Sequence, residues 1–242
     1  MGADDVPRSD VAHAMAQTAS DFFEARVREY DSLARRGLPR RDEMLAELVR
    51  TLPDAAVDVL ELGCGTGALT LRLAARYSAA SLTVVDAAPG MIGLARERLR
   101  AAHSAVAEQA CFVTSTFEEL ALPDASFDCV TSSMSLHHVI DKAPLYRRLR
   151  SALREGGAFV FADELTGAVP HVQQLHWQRW IEFARLPRHL EEREIAEIIE
   201  HMTAWDHYET LPRQLELLAE AEFQEVDCAW RRWNYGIFVA VR

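Results

Sequence analysis

The chain has 242 residues, 49% of them hydrophobic, and a formal net charge of −11 at pH 7. That suits one large α/β domain with a small appendage, and there is enough apolar side chain to fill its core. The acidic balance argues against a phosphate backbone as partner, and no apolar run approaches the ~20 residues that a bilayer requires, so nucleic acid and membrane are both expected to be absent. Arginines cluster at Arg35, Arg36, Arg40 and Arg41 and again at Arg147, Arg148, Arg150 and Arg154; both groups read as solvated helix faces. Cys64, Cys111, Cys129 and Cys228 form no C-x-x-C pair and lie in or beside apolar stretches, as reduced thiols of a cytoplasmic protein do. The opening MGADDVPRSD has no basic stretch with an apolar core after it, so no signal peptide is expected.

In chain order, residues 1–9 read as disordered and 10–52 as helices. Phe22, Phe23, Val27 and Tyr30 make one apolar face, and Met44, Leu45, Leu48, Val49 and Leu52 another. Residues 1–52 are expected to form a helical lid on a domain spanning 53–242. There the pattern changes to short β-type runs at Val57–Leu62, Ser81–Asp86, Ala110–Thr114, Phe127–Ser132 and Gly157–Ala162. Helices fall between them, among them Ala68–Tyr77, Gly90–His103 and Pro144–Leu153. Such alternation means crossover units and a parallel sheet covered on both faces. Residues 168–206 break the alternation with two helices, Val172–Ala184 and Glu191–Thr203. A helix follows at Pro212–Glu222, then strands Val226–Trp233 and Tyr235–Arg242, which are too close in sequence to pair other than antiparallel. The expected fold is α/β: a doubly wound, mostly parallel seven-stranded sheet with an antiparallel last strand, N-terminal helices and a helical insert after strand five.

The first strand runs into Glu61-Leu-Gly-Cys-Gly-Thr-Gly67 and a helix. Alternate glycines permit a sharp turn and close backbone approach to a ligand, and the helix start points N–H groups at it. Asp86 ends the second strand at the spacing where an acid reaches the ribose hydroxyls of a nucleoside. ELGCGTG matches the acid-x-Gly-x-Gly-x-Gly motif of the class I (Rossmann-like) methyltransferases, which the chain resembles over Val57–Glu164. The resemblance runs on through VVDAAPGMIGLARERL, FDCVTSSMSLHHV and LREGGAFVFADE. It implies S-adenosyl-L-methionine as cofactor and S-adenosyl-L-homocysteine as product. Gly63, Cys64 and Gly65 would line the methionine portion and Glu61 would lie near its amino group. Asp86 would bind both ribose hydroxyls, and Ala87 and Met91 would cover the adenine. Thr116 stands where such enzymes often carry an acid for the adenine amino group, with Phe117 beside it. Ser133 would meet the methionine end and Tyr30 would close over the cofactor.

Methyl transfer from a sulfonium is an in-line displacement, so the enzyme must hold the acceptor atom, exclude water and, for a protic acceptor, take a proton. Ligands of open α/β sheets lie beyond the carboxyl ends of the strands. Strand four ends near His137 and His138 and strand five at Asp163 and Glu164. His138, His137 and Asp163 are the catalytic candidates, with His138 preferred. Glu164, Trp177, Trp180 and Tyr235 are expected around a small-molecule acceptor. A two-histidine, one-carboxylate metal site at these strand ends is set aside, because adjacent histidines on a turn rarely aim at one ion, and no metal is expected. The leading expectation is methyl transfer to an O, N or C atom of a small molecule by a monomer or homodimer. The alternatives are an RNA methyltransferase, a cofactor-modifying enzyme resembling carboxy-S-adenosylmethionine synthase, and a non-catalytic cofactor-binding protein.

Overall fold

Short apolar strands alternating with amphipathic helices have one stable arrangement, a parallel sheet with helices on both faces. A computed structural model describes residues 21–242; the readings of residues 1–9 as disordered and 10–20 as helical lie outside them. Helices α1 (Tyr30–Gly37) and α2 (Arg41–Thr51) lead into β1 (Asp58–Leu62), α3 (Ala68–Arg76), β2 (Ser81–Asp86), α4 (Pro89–Ala102), α5 (Ser104–Gln109) and β3 (Cys111–Thr114). Next come β4 (Phe127–Ser133), a 3-10 turn (Leu136–His138), α6 (Lys142–Ala152) and β5 (Leu153–Thr166). The insert supplies α7 (Pro170–Ala184) and α8 (Glu192–Trp205). The two-residue β6 (Glu209–Thr210), α9 (Leu211–Glu220), β7 (Gln224–Arg232) and β8 (Tyr235–Val241) follow.

The main sheet has the order β3-β2-β1-β4-β5-β8-β7, with the short β6 paired to β5 off this path, which makes the eighth strand. β8 runs antiparallel to both β5 and β7, and the remaining pairings are parallel. From β1 the chain winds first to one side, through β2 and β3, and then to the other, through β4 and β5. Such a reversal opens a crevice beyond the strand ends. The register aligns Leu62 with Val85 on one side and Ser132 on the other, so β1, β2 and β4 end together.

Alternate residues feed two cores. Val84, Val160 and Ala162 pack on one face with Met44, Leu48, Leu73 and Ile92. Val85, Phe159 and Phe161 pack on the other with Leu62, Tyr146 and Phe238. The insert has its own small core of Trp180, Ala184, Leu190 and Ile195, on which Leu33 from α1 also packs.

Several helices begin earlier than the apolar pattern suggests. α4 and α7 start at Pro89 and Pro170, whose fixed φ suits the first helical position. α6 starts at Lys142, before Pro144, because the Asp141 carboxylate accepts from Ala143 N at 3.2 Å. α5 was not expected at all; it is a single short turn, tucked in by Val106 and Ala107.

Candidate active site

The β1 turn is built from three glycines with positive φ, each present for a different reason. A Cβ on Gly63 would sit 2.3 Å from Ser135 Oγ, and one on Gly67 would sit 3.0 Å from the Ala95 backbone; both spots are filled by protein. A Cβ on Gly65 would meet only the Tyr30 ring, at 3.5 Å, and would project into a cleft. Gly65 is therefore the glycine that leaves room for a ligand. Its N–H donates to Asp86 Oδ2 at 2.8 Å and Ala88 N donates to Asp86 Oδ1 at 2.9 Å, so the carboxylate is fixed at the end of β2. Burial raises the Asp86 pKa, and these backbone donors oppose the rise.

The cleft beyond β1, β2 and β4 has a volume of about 1050 Å³, its open mouth included. Every residue expected to hold the cofactor lines it: Tyr30, Glu61, Gly63, Cys64, Gly65, Asp86, Ala87, Met91, Thr116, Phe117 and Ser133. Phe23, Glu118, Met134 and Ser135 also line it and were not expected. Glu61 is 1% exposed and neither carboxylate oxygen has a well-formed hydrogen bond among the described residues. Burial, only partly offset by the nearby hydroxyl and N–H of Thr70 and reinforced by the charge of Asp86, pushes its pKa up to about 8. A buried, unpartnered carboxyl facing a cleft calls for a cation or donor from a ligand. With Asp86 presented opposite and open space over Gly65, these residues fit an amino-acid nucleoside carrying an ammonium group. Thr116 Oγ1 is engaged locally, accepting from Glu119 N at 3.3 Å, and Glu118 is an acid on the cleft wall beside it.

A second cavity of about 780 Å³ meets the first at Phe23, Tyr30, Leu38, Met134 and His138. It is walled by His137, Glu164, Trp180, His201, Asp206 and Tyr235. Two expected residues are absent from both cavities. Asp163 lies behind His137, accepting or sharing the proton of His137 Nδ1 across 2.6 Å. Trp177 stacks on Trp180, with ring centroids 5.5 Å apart, and packs on the insert's own core. The Trp180 indole N–H donates to Gly37 O at 3.1 Å, which ties the insert to α1.

The residue that sequence reasoning missed is Asp206. It follows α8, and its side chain is only 4% exposed, beside His137, His138 and His201. Burial works against the charge of Asp206, but His137 holds its pKa well below the usual carboxylate range. Burial likewise works against the charge of His137, yet Asp163 and Asp206 raise its pKa to about 9. Burial, helped by the charge of His137, lowers His138. Glu164 is raised to about 8 by burial, against the charge of His137. Met134 joins β4 to the histidine turn at φ 58°, a strained conformation for a non-glycine residue, with its N–H on Ala162 O at 2.8 Å.

Comparison with known proteins agrees with this geometry. Residues 59–157 match a methyltransferase domain family. The chain is 30% identical over 194 residues to a malonyl-[acyl-carrier protein] O-methyltransferase of Hahella chejuensis, covering 79% of this chain and 66% of that protein. It is 34% identical over 105 residues to the ubiquinone/menaquinone biosynthesis C-methyltransferase UbiE of Proteus mirabilis, covering 43% of this chain and 41% of that one. The chain thus spans less than two thirds of either relative's length. The fold is shared with phosphoethanolamine N-methyltransferase 2 of Haemonchus contortus, solved in complex with S-adenosyl-L-methionine. The TM-score there is 0.61 at 17% identity, over 83% of this chain and 52% of that one. Glycine turn, the acid at the end of β2, sheet order and relatives agree: the chain belongs to the class I S-adenosylmethionine-dependent methyltransferases.

Proposed function

We propose that this enzyme transfers a methyl group to an O, N or C atom of a small molecule held in the second cavity. The observation that carries this reading is the junction of the two cavities at His138. S-adenosylmethionine supplies an electrophilic methyl group on a sulfonium. Glu61 holds the ammonium end, Asp86 the ribose hydroxyls, Ala87 and Met91 the adenine face, and Ser133 lies at the methionine end. Cys64, Thr116 and Phe117 complete the wall, and Glu118 is the acid nearest the place where Thr116 stands. His138 is the imidazole shared by both cavities and is placed to meet the acceptor's proton. His137, fixed by Asp163, positions it, and Glu164, Trp180 and Tyr235 bound the acceptor. The names of the two relatives, an O-methyltransferase of a malonyl group on an acyl-carrier protein and a C-methyltransferase of quinone biosynthesis, leave the acceptor atom open. Incubation with candidate carboxylate, phenol and amine acceptors should yield S-adenosylhomocysteine; a complete panel with no turnover, despite tight cofactor binding, would favour a non-catalytic binding protein.

Asp86→Ala should weaken S-adenosylmethionine binding at least tenfold by calorimetry. Two charge-assisted hydrogen bonds to ribose would be lost, each worth about 1.5–3 kcal/mol. The anchor on Gly65 N would be lost as well. An unchanged dissociation constant would overturn the assignment of Asp86 to the ribose.

Residues 21–40 act as the closing element. In residues 21–40, Phe22, Phe23 and Tyr30 cap the cavities. The segment is held mainly by polar ties: Glu24 to Gly90 N, Asp31 to Thr66 and Arg98, and Arg36 in a two-pronged pair with Glu194. Phe22, Phe23 and Leu33 do touch the insert, but each is only half-buried, so the segment adds little to the core and local opening is favoured. α2, by contrast, has Met44, Leu45 and Leu48 in the core. Amides of residues 22–31 should exchange quickly in the free protein and slow markedly with S-adenosylhomocysteine. Strong protection in both states would leave a static brace.

A further inference from the structure

The 3-10 turn sets the rings of His137 and His138 4.2 Å apart, and both face one carboxylate. Asp206 Oδ1 lies 3.0 Å from His138 Nδ1, 4.0 Å from His137 Nε2 and 3.6 Å from His201 Nε2. Yet Asp206 Oδ1, His138 Nδ1 and both His201 nitrogens make no hydrogen bond among the described residues. The His138–Asp206 separation suits a hydrogen bond and the angles do not. Buried polar atoms that crowd together without bonding one another share a missing partner.

We propose that His137, His138 and Asp206 bind a divalent first-row transition ion, zinc or ferrous iron, with His201 at its rim. The three donor atoms lie within 4.8 Å of one another. Bonds of about 2.0–2.2 Å in a tetrahedron place ligand atoms about 3.4 Å apart, within the observed spread. Two imidazoles and one carboxylate leave open positions for a further ligand. Adjacent histidines were expected to diverge; the tight turn makes them converge, on a carboxylate that arrives from the insert.

What lies behind the three donors is what a metal site requires. His137 Nδ1 faces Asp163, so that Nε2 is the nitrogen an ion would take once it displaces the His137 proton, and the Tyr208 hydroxyl donates to Asp206 Oδ2. The donors are held before any ion arrives. His207 N donates to His137 O at 2.7 Å, and Lys142 Nζ donates to His207 O at 2.6 Å and to Val139 O at 3.0 Å. Those bonds clamp the histidine turn to the segment that carries Asp206. The second cavity gives an entry path.

Metal and proton compete for the same imidazole lone pairs. On the reading of this cavity as the acceptor pocket, an ion there supplies positive charge beside the acceptor and eases loss of its proton, a task that His138, once it is a ligand, no longer performs as a base. The ion favours acceptors with an anionic or ionisable oxygen.

The test needs neither acceptor nor turnover, so its failure would leave the methyltransferase reading standing. Full-length protein, stripped with a chelator, is dialysed against Zn2+ and analysed for bound metal, and Co2+ is followed by visible absorption. One ion per chain is expected, with a dissociation constant of about 1 µM or tighter and Co2+ bands typical of nitrogen and oxygen ligands. Asp206→Asn and His138→Gln should each weaken binding about 100-fold. Asp206→Asn should keep wild-type affinity for S-adenosylhomocysteine, which shows that it is folded. Substoichiometric metal at about 100 µM free Zn2+, or folded variants that bind as wild type does, would overturn the site.

Discussion

Gly65→Val should abolish S-adenosylmethionine binding while leaving the domain folded. Gly65 has φ +50°, and an L-residue there costs about 1–2 kcal/mol, somewhat more when β-branched. The domain can bear that, since the added Cβ meets no backbone among the described residues and only the Tyr30 ring stands near it, at 3.5 Å. The side chain instead occupies the space through which the cleft reaches Glu61 and Asp86. Affinity should fall by more than about 100-fold, a loss of about 2.7 kcal/mol or more, with a normal circular dichroism spectrum. Gly63→Val is the contrasting case. Its Cβ would overlap Ser135, which is hydrogen-bonded to Leu62 O, so it should unfold the turn rather than merely block it. If Gly65→Val binds normally, the cofactor does not pass over this turn.

Glu61→Gln should separate stability from binding and give the two opposite signs. Burial keeps the Glu61 carboxyl protonated in the folded protein up to about pH 8, whereas in the unfolded chain it ionises near the ordinary value of 4.5. Its folded pKa is raised, and it is an acid, so its contribution favours folding below pH 4.5 and is lost as pH climbs toward 8. At about 1.4 kcal/mol per pKa unit the effect at pH 8 is a few kcal/mol. Asp86 and Glu164 are raised as well and add slopes of the same sign, so the variant must be compared with wild type at each pH. Without ligand, the glutamine variant should be more stable than wild type at pH 8, by roughly 5 °C or more in melting temperature, and equal to it near pH 4.5. Its affinity for S-adenosylmethionine should drop at least about tenfold, because the ammonium loses its counter-charge. A flat stability difference across this range would mean that Glu61 is ionised in the free protein.

The alternation of strands and helices, the ELGCGTG turn and Asp86 were all legible in the sequence, because each is a local pattern within one crossover unit. The three glycines looked equivalent there. Only their neighbours, Ser135, Tyr30 and Ala95, show which one faces the cleft. Asp206 carries no local motif; it reaches His137 and His138 through the docking of the insert. Trp177 and Trp180 share a helix face and so looked like one wall, but their stacking leaves only Trp180 on a cavity. Helix starts were misjudged where a proline or an aspartate cap, rather than an apolar residue, sets the first turn.

The interior position of β8 bears on how the protein is made. It pairs with β5 on one side and β7 on the other, yet it follows both in the chain. As the polypeptide leaves the ribosome, β1 to β5 can assemble while the β5 edge stays unpaired. Phe159 and Phe161 wait there for Phe238. That exposed apolar edge is a template for pairing with another nascent chain until β8 emerges. That edge is closed by the β7–β8 hairpin, the last part of the sheet to be made, and the first residue of β8, Tyr235, completes the wall of the second cavity at the same time.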